Sequence, residues 1–195
     1  MLKDRLFGIA VASFFLAAAT DVHALKVVAV GVEEMAGRAD RIFVGTCVEA
    51  RSEADPAHGI VTTRYTFSVS RAIKGAVGAT VTFRQYGGKA GKRRTVVEGL
   101  PVYRPGEEVV LFLKPDSAWG LTSPVGVFQG RYEVATDGAT GRKAVISDAF
   151  APHLSGEALA RAARALSKPA RLSPEGRMDL EDFLGMIEGM VRNGK

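Results

Sequence analysis

The stretch Arg41–Gly88, RIFVGTCVEARSEADPAHGIVTTRYTFSVSRAIKGAVGATVTFRQYGG, decides the fold. It reads as three consecutive β-strands with two connections. In the middle strand Tyr65, Phe67, Val69 and Ile73 alternate with Arg64, Thr66, Ser68 and Ser70. Successive strand side chains point to opposite faces, so the aromatics turn inward and the hydroxyls outward. Arg71 interrupts the inward row, as a bulge or a strand outrunning its core would make it do. The first strand, Ile42–Val48, is expected to be buried on both faces, with Ile42, Val44 and Val48 on one and Phe43 and Cys47 on the other. In the third, Thr80–Tyr86, Val81 and Phe83 alternate with Thr82 and Arg84. Glycines at 75 and 78 lie where the chain must reverse, and Asp55-Pro56 marks the turn between the first two strands.

Downstream, Lys89–Arg94 is a basic loop, Thr95–Val97 a short strand and Gly99–Gly106 irregular. Glu107–Leu113 alternates Val109, Leu111 and Leu113 with Val110 and Phe112, and Pro115 stops it because proline has no amide hydrogen for a ladder. Val127–Thr136 reads as a strand, Asp137–Gly141 as a hairpin turn and Arg142–Ser147 as its return. Six or seven strands joined by short loops predict an antiparallel meander closing into a small barrel.

Upstream, Met1–Ala24 has the pattern of a secretory signal peptide. Lys3 and Arg5 precede the apolar run Leu6–Ala19, and Val22-His23-Ala24 suits a peptidase, so cleavage is expected between Ala24 and Leu25. The run is about 14 residues, short of the ~20 a spanning helix needs, so no membrane span is expected after signal removal. Val32–Ala39 reads as one or two helical turns. At the other end, Ser155 can cap a helix carrying Leu159, Ala162, Ala163 and Leu166; Pro169 and Pro174 mark a linker. Asp179 then caps a second helix, whose apolar stripe is Leu180, Phe183, Leu184, Ile187 and Val191. The organisation is thus 1–24 signal peptide, 25–150 barrel domain and 151–195 C-terminal helical segment, with the last helix packing on its own domain.

The order of these features resembles a known family. Ala39–Thr46, Arg64-Tyr65-Thr66-Phe67 with Lys74-Gly75, Val81-Thr82-Phe83 and Gly106–Leu113 resemble the oligonucleotide/oligosaccharide-binding (OB) type barrel of the tissue inhibitors of metalloproteinases, and secreted bacterial proteins sharing it. The resemblance spans roughly Val32–Ser147 and implies a mostly β, small antiparallel OB-like barrel with a C-terminal helical tail. It does not carry the inhibitory site. The animal inhibitors begin with a disulfide-held cysteine whose amine and carbonyl reach the protease zinc. Here the expected start is Leu25 and the one cysteine is Cys47, so nothing preorganises such a wedge.

No HExxH, nucleophile elbow or phosphate-loop lysine occurs, and no cofactor or metal is expected. Cys47 reads as a small buried hydrophobe, and His58 and His153 as loop residues. Glu107 and Glu108, adjacent on a strand, face opposite ways and make no acid/base pair. The local anomaly is Lys89, Lys92, Arg93 and Arg94, near Arg84, Tyr86 and Tyr103. These four cations are the candidate binding residues. The expectation is a secreted or periplasmic binding module engaging a protease or another envelope protein; the alternatives are an enzyme with an unrecognised site on the barrel and a binder of an anionic polymer through the Lys89–Arg94 loop. Nucleic acid is disfavoured because the chain is read as exported. Intact-mass measurement of the exported protein should give a chain beginning at Leu25; recovery of the full-length chain in the membrane fraction would point instead to an uncleaved anchor.

Overall fold

A computed structural model describes residues 30–138, 140–146 and 177–194. The signal peptide, its cleavage point at Ala24 and Leu25, His153 and the helix expected from Ser155 lie outside the described residues. In chain order the elements are α1 (Val32–Arg38), β1 (Arg41–Asp55), β2 (Ile60–Lys74), β3 (Thr80–Tyr86), β4 (Gly88–Ala90), β5 (Arg93–Thr95), β6 (Glu108–Leu113), β7 (Arg131–Thr136), β8 (Lys143–Ile146), β9 (Met178–Asp179) and α2 (Leu180–Asn193). Seven strands form one antiparallel sheet in the order β3-β2-β1-β6-β7-β8-β9, and β4 and β5 form a separate hairpin.

The protein is mostly β with a C-terminal helix, as the strand patterns predict. The sheet, however, is not closed into a barrel. It curls until residues 121–124 reach both sides of the gap. Leu121 bridges Arg84 of β3, and Pro124 bridges Leu113 of β6. These are single bridges and not a ladder, and Pro124 itself has no amide hydrogen to extend one.

β1 and β6 are buried on both faces. On one, Ile42, Val44, Val110 and Phe112 pack with Tyr132 and Val145 beneath Met35 of α1 and Phe183, Leu184 and Ile187 of α2. On the other, Phe43, Cys47, Val109, Leu111 and Leu113 meet Tyr65, Phe67, Val81 and Phe83. Phe67 lies edge-on to Phe43 at 5.8 Å and stacks on Phe83 at 5.8 Å. Tyr103, from the irregular 99–106 segment, plugs this core with its ring edge-on to Tyr65, Phe67 and Phe83. It is therefore a core residue and not one of the surface aromatics expected beside the basic loop.

Arg71 escapes the apolar row through a bulge. Val44 pairs with Arg71 and Gly45 with Val69, so Ser70 is extra on β2 and the side-chain alternation shifts by one. Arg71 lands on the helical side and pairs with Glu181 at 2.7 Å and Glu188 at 2.8 Å of α2. The Asp179 carboxylate caps α2 by accepting from the amides of Glu181 at 3.0 Å and Asp182 at 3.4 Å. The α2 stripe is buried against the sheet, as expected of an amphipathic terminal helix.

Three local expectations need correction. Val48 is 52% exposed because it is the extra residue of a bulge between Cys47 and Glu49, beyond the cover of β6. Pairing on β7 begins only at Arg131. Val125–Gly130 is a turn in which the Gly130 amide donates to the Val125 carbonyl, and Gln129 is buried with its side-chain oxygen accepting from the Val30 amide. The short strand after the basic loop is Arg93–Thr95 and not Thr95–Val97. Phe67→Ala should lose about 3–5 kcal/mol, as large-to-small changes in full cores do, read as a lower urea midpoint with an unchanged slope.

Candidate functional site

At the end of β3 two glycines turn the chain off the sheet. Gly87 has φ +101° and Gly88 φ +130°. A Cβ on Gly88 would stand 2.3 Å from Thr63 Oγ1 and 2.5 Å from Ser52 Oγ, so only glycine fits there. The Thr63 hydroxyl donates to the Gly87 carbonyl at 2.7 Å and lies 2.9 Å from Ser52 Oγ, while the Gly87 amide donates to the Val61 carbonyl at 2.9 Å. These bonds pin the β4–β5 hairpin against β1 and β2.

Between the hairpin, the strands and the 96–103 segment lies a cavity of about 350 Å³. Val96, Val97, Leu100 and Val102 supply its apolar wall, and Val96 and Val102 are largely exposed. Buried Gln85 donates from Nε2 to the Pro101 carbonyl at 2.8 Å, which holds that segment over the core.

All four sequence-predicted cations fall on this hairpin and all are exposed. Lys89 and Arg94 are directly paired across β4 and β5, on one face, and both line the cavity. Arg93 pairs with Ala90 on the other face, and Lys92 sits in the turn. Like charges directly opposite on a sheet repel. Yet among the described residues none of the four has an ion pair, whereas Arg38, Arg41, Arg64, Arg71, Arg84, Arg131, Arg142 and Lys143 all do.

A second cluster forms where the β1–β2 turn meets β3. Asp55 Oδ1 accepts from the amides of Ala57 at 3.0 Å and His58 at 3.3 Å. Its Oδ2 faces Arg84 Nη2 at 2.6 Å and His58 Nδ1 at 3.1 Å. The imidazole stacks on Trp119 with ring centres 4.4 Å apart. Among the described residues no hydroxyl or thiol bonds to His58, so the pair orients a ring and activates no visible nucleophile. Asp55-Pro56 was legible as a turn, but only the folded chain brings Arg84 and Trp119 to it.

Cys47 is buried, its Sγ 3.5 Å from the Glu49 carbonyl oxygen, and burial raises its pKa, which disfavours the nucleophilic thiolate. Glu107 and Glu108 serve different partners, Arg131 and Lys143. Among the described residues no three His, Cys, Asp or Glu side chains gather as a metal would require. Sequence reasoning missed Val96, Val102 and Trp119, whose signal was only that they are apolar residues in segments too short to bury them. No family model, curated protein or solved structure matches the chain.

The Asp55 carboxyl is held at about 2, first by Arg84 and then by His58. A depressed carboxyl contributes stability that is complete above its unfolded value near ~4 and is lost as pH falls toward 2. Asp55→Asn removes the group that titrates. The stability gap between wild type and Asp55→Asn, followed by circular dichroism in urea, should therefore be full at pH 6 and shrink between about pH 4 and pH 2. A gap constant across that range would contradict the assignment.

Proposed function

We propose that the chain is an exported binding module, not an enzyme, that takes an anionic partner of the cell envelope on the β4–β5 hairpin. The observation that carries this is the unneutralised charge of Lys89, Lys92, Arg93 and Arg94 beside an apolar cavity. Among the described residues Arg51, Arg104 and Lys114 also lack an ion pair, but singly; here four such cations gather within six residues, on a hairpin fixed by Gly88. Such a surface attracts an acidic polymer or the acidic segment of another envelope protein, and the valine wall adds contact that pure charge attraction lacks. Export rests on the Met1–Ala24 pattern.

Neutralising bound charge releases counterions, so affinity for a polyanion should fall steeply with salt. For oligogalacturonate or polyglutamate, we expect binding by the wild-type chain to weaken about tenfold or more between low and physiological ionic strength. The Lys89→Ser, Lys92→Ser, Arg93→Ser, Arg94→Ser variant should bind both weakly at either salt while keeping wild-type folding within ~0.5 kcal/mol. Wild-type affinity indifferent to salt and retained in the variant would remove the hairpin from consideration.

A further inference from the structure

We infer that the anionic partner is a glycan, and that its site runs on from the hairpin past Tyr86 to Trp119; this rests on the anionic-partner reading above. Tyr86, Gln85 and Leu100 wall the hairpin cavity on one side and a second cavity of about 350 Å³ on the other. The two hollows are therefore adjacent, separated by the half-exposed Tyr86 ring. Two neighbouring hollows on an open surface suit a chain lying along them better than one side chain plugging a single hole.

The second hollow offers hydrogen-bond donors. Lys114, Ser117 and Ser123 line it. Ser117 Oγ accepts from the Leu121 amide at 3.2 Å, which leaves its own proton to donate. Among the described residues Lys114 Nζ has no ion pair and Ser123 Oγ no hydrogen bond. Trp119 stands in sequence between Ser117 and Leu121, two residues that wall this hollow.

Trp119 is 52% exposed, an unusual position for an indole, yet it is not loose. One face rests on His58, which Asp55 and Arg84 hold in turn. Its loop is tied by the Ser117 amide donating to the Leu121 carbonyl at 2.8 Å and the Gly120 amide to the Ser117 carbonyl at 2.8 Å. Arg41 pairs with Asp116 at the loop's start. The result is a preorganised aromatic plate, stacked on His58 and still half exposed. A pyranose presents a flat C–H face to such a plate and hydroxyls to the donors beside it. Acidic groups further along the same glycan would meet Lys89 and Arg94. An acidic peptide would satisfy the hairpin but has no flat C–H face for the indole. A single-stranded nucleic acid would stack bases on Trp119, so it must be separated by experiment.

Trp119 is the only tryptophan in the chain, so intrinsic fluorescence reports on this position alone. The full chain is titrated with oligogalacturonate, a neutral oligosaccharide of the same length, polyglutamate and an oligothymidylate, with affinities checked by calorimetry. We expect oligogalacturonate to change Trp119 emission saturably and to bind more tightly than the other three. Trp119→Ala should weaken its binding roughly tenfold, as loss of a stacking contact does, and Trp119→Phe less. Absence of an oligogalacturonate response, unchanged affinity in Trp119→Ala, or tighter binding of polyglutamate or oligothymidylate would overturn the glycan assignment. If polyglutamate still binds through the hairpin with steep salt dependence, the anionic-partner reading survives that failure. If the hairpin serine variant keeps full affinity for every polyanion, that reading falls as well.

Discussion

The structure depends on the pairing of β1 with β6, two strands buried on both faces. From Arg41 to Thr46 every residue of β1 has a partner between Leu113 and Glu108. Their alternate side chains feed two cores at once: Ile42, Val44, Val110 and Phe112 under the helices, and Phe43, Val109, Leu111 and Leu113 toward the aromatic cluster. A one-residue slip of either strand would turn its two sets over, sending Phe43 or Leu111 to the helical side and Val44 or Phe112 to the aromatic cluster. The two-sided burial thus fixes register more strictly than a sheet with one wet face could.

Bulges and glycines then convert a regular hairpin into a curved support for the surface. Ser70 is the extra residue that turns Arg71 away from the aromatics and toward Glu181 and Glu188, tying the C-terminal helix to β2. These partly exposed pairs are worth at most about 1 kcal/mol each, so they orient α2 more than they hold it. The holding comes from Phe183, Leu184 and Ile187, all fully buried or nearly so. At the far end of β3, Gly88 lets β4 approach Ser52 and Thr63 more closely than any other residue allows.

The candidate surface is assembled on that support from pieces distant in the chain. The turn at Asp55, the β3 residue Arg84 and the loop at Trp119 converge through one carboxylate and one ring stack. Lys89 and Arg94 of the hairpin border a hollow that shares Tyr86 with the one walled by Ser117 and Leu121, which flank Trp119 in the chain. Rigidity and unspent charge therefore occur together. The aromatic plate is braced by the Asp55–Arg84 pair, while the neighbouring hairpin keeps its charge available.

The sequence by itself determined the β class, the faces of most strands and the cap and stripe of the last helix. Each of these follows from a local period: two for Tyr65, Phe67 and Val69, and 3.6 for Leu180, Phe183, Leu184 and Ile187. It also placed the four cations in one loop, because they are neighbours in the chain. Tertiary structure alone decided the rest. Nothing near Tyr103 marks it as a core plug, since its burial depends on β2 and β3 curling over it. Gln129 lost its expected place on a strand because the turn from Val125 to Gly130 offered its backbone other partners. The open sheet, in place of a closed barrel, reflects single bridges at Leu121 and Pro124 where a ladder would need a continuous run of donors. Trp119 reads in sequence as an apolar residue awaiting burial, yet it stays half exposed, and the ring it stacks on is His58, more than sixty positions earlier in the chain. Local periodicity records which way a side chain points; only the fold decides what, if anything, meets it there.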